Sequence, residues 1–351
     1  MLGIDSCAAR RTWTVALVLL TLWLVYLVRA TLFVFVLAVL FAYLLAPLVN
    51  FLDRFLPGRT RTPALALAYV IFVGAVVVGG GQIGTRVVEE AGRLAKDLPA
   101  RVEAWKAEVP ASPGLFDKYK KQLIEEAQVE ISKRSSDVFS ALAEAGLKAL
   151  TVASGLVYAV IIPILSFFFL KDGHLIREQI LEALGDNPRR SLLRDVLGDL
   201  NALLAHYIRA LVVLSTATFT AFGIFFSILG IPYGVLLAAL AALLEVIPML
   251  GPLTACATIF LVALISGTHA LATLIFLVAY RMFQDYVLSP HVMGHGVELH
   301  PLLVLFGVYA GAEVGGIAGM FLSVPLLALA RILFLRVRKA RIATPCSPTA
   351  A

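Results

Sequence analysis

The sequence predicts an all-α, polytopic helical membrane protein with about eight membrane segments, the sixth kinked or broken and the last rich in glycine. Three observations predict it. Hydrophobic residues make up 60% of the chain and charged residues only 15%, the mean hydropathy is +0.91, and several apolar windows reach the roughly 20 residues that cross a hydrocarbon core about 30 Å thick. A soluble globular chain carries roughly 45–50% apolar and about 25% charged residues, so lipid is the solvent for most of this surface.

Between polar breaks the windows fall near 12–28, 31–51, 63–85, 150–170, 207–230, 232–265, 269–289 and 301–335. The first follows Arg10 and Arg11 as a signal peptide would. No small-x-small cleavage site comes after it, and apolar sequence resumes beyond Arg29, which reads as an uncleaved span. The sixth is too long for one straight span and contains Pro248, Gly251 and Pro252, so it is either a kinked helix or two half-helices.

Short-loop Lys and Arg residues set orientation. With the N-terminus inside, one side collects Arg10, Arg11, Arg54, Arg59, Arg61, Lys171, Arg177, Arg189, Arg190, Arg194, Arg336, Arg338, Lys339 and Arg341, while the short loops opposite hold little beyond Arg29. Both termini are therefore expected in the cytoplasm, in a bacterial inner membrane.

The chain divides into 1–85 (first membrane helices), 86–148 (an extramembrane insert), 149–341 (the C-terminal membrane domain) and 342–351 (a disordered tail). The insert carries eleven basic and eleven acidic residues, and Phe116, Leu123, Ala127, Ile131, Val138, Leu142 and Ala145 recur at helical spacing. This reads as paired amphipathic helices broken at Pro99 and at Pro110 to Pro113, either a plain solvated insert or a docking element. A second stripe, Leu193, Val196, Leu197, Leu200 and Leu204 behind three arginines, reads as a helix in the headgroup plane beside anionic lipid.

Several function classes are excluded. The net charge of +6 is scattered between spans, without the basic stripe and interleaved aromatics that bind nucleic acid. Cys7, Cys256 and Cys346 have no CxxC partner and form neither a disulfide framework nor a zinc site. There is no GxxxxGK[ST] loop for nucleotide hydrolysis, and no HExxH or GxSxG. No catalytic residue, cofactor or metal is assigned, and a gradient or a partner must supply energy for active transport.

Candidate chemistry lies in the C-terminal half, where the only acids after Asp199 are Glu245, Asp285, Glu298 and Glu313. An ionised side chain at mid-bilayer costs about 2.5–3.5 kcal/mol on insertion scales, so each needs a partner, water or a task. In EVIPMLGP (245–252) Pro248 cannot continue a helix without striking the carbonyl of residue 244, which frees carbonyls beside Glu245. Such irregular backbone survives only against protein or a wet cavity. It builds midplane solute sites in secondary transporters, or it is a structural kink. Arg281, Gln284 and Asp285 share one helical face and form either an ion pair or a gate. His291, His295 and His300 lie in a Pro- and Gly-containing loop without a metal-binding i, i+4 pair. Gly307, Gly311, Gly315 and Gly319, spaced four apart, permit close helix packing. If that segment is helical throughout, Glu313 points away from the stripe; the rival is a glycine-broken re-entrant segment.

The strings EVIPMLGP, QDYVLSPHVMGHGVELHPLLVLFGVYAG (284–311) and GGIAGMFLSVPLLAL (315–329), with AYLLAPLVNFLDR (42–54), resemble the autoinducer-2 exporter family of bacterial permeases. The resemblance implies roughly eight membrane segments and export of a small hydrophilic signal molecule, with sodium/proton exchange in some relatives. Pro248, Gly251, Pro252, Pro290, Gly294, His300 and Pro301 match the shared pattern; Glu313 does not belong to it. The expected protein is thus a permease, with membrane lipid, a small polar solute or ion and a second copy of itself as partners. A cation/proton antiporter using Glu245 and Asp285, and a scaffold without transport, are the alternatives.

Overall fold

The computed structural model describes residues 6–56, 61–107, 153–183, 185, 188–266, 269–293 and 299–343. The helices are α1 (Ser6–Leu27), α2 (Arg29–Phe55), α3 (Thr62–Ala107), α4 (Ala153–Glu182), α5 (Pro188–Leu229), α6 (Gly234–Leu244), α7 (Leu250–Ile265), α8 (Ala270–Phe283) and α9 (Pro301–Ala343). Helix α8 continues through a π-helical turn, Gln284–Leu288, into Ser289–Met293. Prolines 63, 188, 252 and 301 fall in first turns, where the missing N–H has no intrahelical partner to lose.

Among the described residues, six helices are long and apolar enough to cross a membrane, while Thr12–Leu27, α6 and α7 are apolar but shorter. The expected windows 12–28 and 31–51 are not two antiparallel spans. Only Val28 (φ −95°, ψ 11°) departs from helical geometry between them, and Val28 N–H and Leu32 N–H bond to Leu24 and Val28 carbonyls at 3.0 Å. Helices α1 and α2 form one bent rod, so Arg29 is not in a loop and α1 leads away from Phe55 instead of folding back. The expectation of both termini on one side needs that fold-back.

Side-chain pairings fix the directions. Phe41 meets Phe72 and Asp53 pairs with Arg61 at 3.4 Å, so α2 and α3 are antiparallel. Helix α8 runs antiparallel to α5, because Phe225 stacks on Phe276 and Phe222 meets Tyr280 edge to face, while Thr218 bonds Tyr280. Helix α5 ends in a glycine cap: Gly230 takes φ +61° and Ile231 N–H bonds the Phe226 carbonyl at 3.0 Å, a Schellman closure that turns the chain into α6.

Two helical hairpins follow. The sixth window is two half-helices, and α7 folds back on α6: a Cβ on Gly251 would sit on the Leu244 carbonyl, residues that a straight helix would hold about 10 Å apart. Both ends of the α6–α7 hairpin lie at the Gly230 end of α5, since α8 starts there. The last window is the glycine-broken alternative. Gly315 (φ −141°, ψ 15°) and Gly316 (φ 60°, ψ −144°) interrupt α9. Gly311 and Gly319 meet backbone to backbone, and a Cβ on Gly307 would lie 3.5 Å from Ser323 Cβ. Gly307, Gly311 and Gly319 thus pack the two arms of α9 on each other, while a Cβ on Gly315 would meet only the Phe33 ring, at 4.0 Å.

The second α9 arm runs antiparallel to α5, with Tyr207 O–H bonding the Phe321 carbonyl at 3.4 Å. Arg336 is held by Asp199 at 2.7 and 2.9 Å and by Asp195 at 3.1 Å. The α9 hairpin therefore enters from the Pro188 end of α5 and the α6–α7 hairpin from the Gly230 end. At about 1.5 Å per residue, the α9 tip reaches the level of Val213 and the other tip that of Thr218.

The 193–204 stripe does not lie in a headgroup plane. It is the first part of α5, and Leu200, Leu203 and Leu204 pack with Leu40, Phe33 and Leu322. Helix α3 runs unbroken across 85/86 and through Pro99 to Ala107. The expected turn at Pro110 to Pro113 and the stripe from Phe116 to Ala145 lie outside the described residues.

Candidate functional site

The tip of the α6–α7 hairpin carries the one acidic group in the buried polar set of the described residues. Glu245 follows the last residue of α6 and is 9% exposed. Gln284, 2% exposed, donates its amide to Glu245 Oε1 at 2.5 Å. The contact forms where the helix switches to π geometry, at Gln284; single π turns recur at functional sites. Thr218, Arg281 and Asp285 lie close enough to act on this carboxylate electrostatically. Thr218 in turn shares a 2.9 Å bond with the Tyr280 hydroxyl.

Arg281 and Asp285 pair at 2.9 Å, each more than a third exposed. Arg281 Nη1 is shielded and has no hydrogen-bond partner among the described residues. With both carboxylates ionised, two negative charges face one positive charge, and a proton or small cation restores neutrality.

The turn between the half-helices is tight. Leu250 N–H bonds the Pro248 carbonyl at 2.7 Å across Met249, whose φ 63° and ψ −54° define a γ-turn of the strained hand. Carbonyls expected to be free are largely taken: Leu243, Leu244 and Ile247 accept from Val246, Ile247 and Gly251. Carboxylate oxygens, not backbone carbonyls, are thus the main acceptors near the break. Pro252 lies in the first turn of α7, and Gly251 is where the returning backbone touches Leu244.

Of the other residues expected at the site, His300 is exposed at the start of α9, where its ring accepts from Leu302 N–H at 3.3 Å; no bond links it to Glu245. Glu313 is exposed beside the Gly315–Gly316 turn, at the tip of the second hairpin. His291 bonds the Val287 carbonyl, and Gly294 and His295 lie outside the described residues. Sequence reasoning missed Thr218 and Tyr280, because a hydroxyl in an apolar span gives no signal of its own. It also missed Glu90, Leu94 and Asp97, whose i, i+4, i+7 spacing marks one helical face.

A model of the AI-2E family of transporters matches residues 14–339. Two Bacillus subtilis (strain 168) proteins named as transport proteins are similar to the chain. YueF is 25% identical over 84% of this chain and 81% of its own length, and YrrI is 25% identical over 89% of each. PerM of Escherichia coli (strain K12), named as a permease, is 25% identical over 78% of each. Coverage of this extent, on an all-helical fold with membrane-length spans, makes the chain a multi-pass membrane transporter of the permease class, not a catalytic enzyme, and a member of the AI-2E transporter family.

Proposed function

We propose that this protein exports a small hydrophilic solute of the autoinducer-2 class along a path beside the tip of the α6–α7 hairpin, with Glu245 taking up and releasing the coupling proton. The observation that carries this reading is the Gln284–Glu245 bond at 2.5 Å, which sets a buried carboxylate at a break between two half-helices. Interrupted helices place polar groups at the midplane in this way in secondary transporters. The polar solute expected from family membership meets carboxylate, amide, hydroxyl and guanidinium groups there.

The second reading, a cation/proton antiporter, is favoured by the excess negative charge of Glu245 and Asp285 over Arg281. Proteoliposome flux separates the two. Efflux of the signal molecule under a proton gradient supports the exporter, sodium-driven proton movement without it supports the antiporter, and neither flux overturns both.

The same proposal places the protein in the inner membrane with the Arg190 and Arg338 ends cytoplasmic, as the positive-inside rule requires, and 86–148 outside. It includes self-association.

A further inference from the structure

Among the described residues, the non-glycine residues with positive φ are Tyr233 (64°), Met249 (63°) and His269 (52°). They precede α6, α7 and α8 respectively, and so mark the entry, the tip and the exit of the α6–α7 hairpin. Bulky residues in this region are strained and persist where surrounding contacts hold them. The entry has no cap of its own, since Tyr233 makes no side-chain cap bond. Its first turn is capped from another helix: Glu90 of α3 accepts the Leu236 N–H at 2.8 Å. A carboxylate there also complements the positive end of the α6 dipole. One turn on, Leu94 is buried with Phe226, Ile231, Tyr233 and Leu237. Two turns on, Asp97 accepts the Tyr233 hydroxyl at 2.7 Å.

We propose that Glu90 and Asp97 are positioning residues for the transport site. By holding the entry of the hairpin they keep its tip, and so Glu245, seated against Gln284, and their release lets the hairpin move on its three strained joints. The polar end of α3 thereby controls exposure of the buried carboxylate. The proposal rests on the reading of Glu245 as part of the path only in its transport arm.

The test replaces Cys7, Cys256 and Cys346 by serine, adds Met249→Cys at the hairpin tip, and measures its reaction rate with a membrane-impermeant methanethiosulfonate in proteoliposomes. Glu90→Ala removes a hydrogen bond to a charged group and is expected to raise that rate about tenfold. Glu90→Gln keeps an acceptor for Leu236 N–H and is expected to stay within about twofold of the parent. Tyr233→Phe, which deletes one hydroxyl and should fold even if Glu90→Ala does not, is expected to raise the rate in the same direction. Unchanged rates in Glu90→Ala and Tyr233→Phe, or in Tyr233→Phe alone where Glu90→Ala gives no folded protein, overturn the proposal. Equal acceleration by Gln and Ala at position 90 also overturns it. In the transport arm, Glu90→Ala should raise KM for the solute more than it lowers kcat, with rescue by Glu90→Gln. Faster labelling with unaltered flux in both Glu90→Ala and Glu245→Gln leaves the positioning role standing and removes Glu245 from the path.

Discussion

The Gln284 amide donates to the Glu245 carboxylate at 2.5 Å across 39 residues of sequence, joining the tip of a re-entrant hairpin to the π turn of the neighbouring helix. That bond tolerates an amide at position 245 but does not titrate. Glu245→Gln is therefore expected to give wild-type folded yield while abolishing gradient-driven flux and flattening its pH dependence. Normal flux with the parental pH profile would make Glu245 a structural acceptor.

Among the described residues, Arg281 finds its ion-pair contact in Asp285 at 2.9 Å, and its Nη1 is shielded without a partner. Asp285→Asn should cost on the order of 1 kcal/mol, since both groups are partly exposed, and should lower both thermal stability and flux. Asp285→Asn with Arg281→Gln should recover stability without flux. Equal stability of all three proteins, read by thermal unfolding in detergent, would show that the pair contributes nothing to the fold.

The elements legible in the sequence were those set by local chemistry. Windows of apolar residues marked most helices, and Pro248, Gly251 and Pro252 marked the break at the sixth. The shared face of Arg281, Gln284 and Asp285 was readable from spacing alone. What was not readable was direction across a break. Val28 and Arg29 interrupt the apolar run without turning the chain, because the polar residue at position 29 is compatible with helix and only tertiary contacts could have forced a reversal. Gly315 and Gly316 do turn it, yet the four-residue spacing of Gly307, Gly311, Gly315 and Gly319 looks the same whether the stripe meets another subunit or its own continuation. The pairing of Glu245 with Gln284 depends on that tertiary geometry, so sequence reading found both residues but not the bond.

Gly311 and Gly315 should differ sharply. A side chain on Gly311 enters the Gly319 carbonyl, whereas a Cβ on Gly315 comes no closer than 4.0 Å to the Phe33 ring. Gly311→Leu is expected to cost about 1–3 kcal/mol or more through overpacking and to reduce folded yield, with Gly315→Ala close to wild type. Size-exclusion profiles and melting curves of the two read this directly. Indistinguishable proteins would mean that the α9 arms do not close on each other.

The opposed entry of the two hairpins gives a test of orientation that does not depend on substrate. Arg336 ties the α9 base to Asp195 and Asp199 near the Pro188 end of α5, while Gly230 closes the other end. The arginine bias puts the first of these ends in the cytoplasm. In protein lacking Cys7, Cys256 and Cys346, cysteines at Arg190 and Arg338 should react with an impermeant thiol reagent only after cells are opened. A cysteine at Gly230 should react in intact cells, although its φ of +61° makes the substitution mildly strained. Labelling of Arg190 and Arg338 positions from outside, with Gly230 protected, would invert the molecule. Labelling of Arg190 and Gly230 positions from the same side would contradict α5 as a spanning helix, and with it the entry of the hairpins from opposite faces.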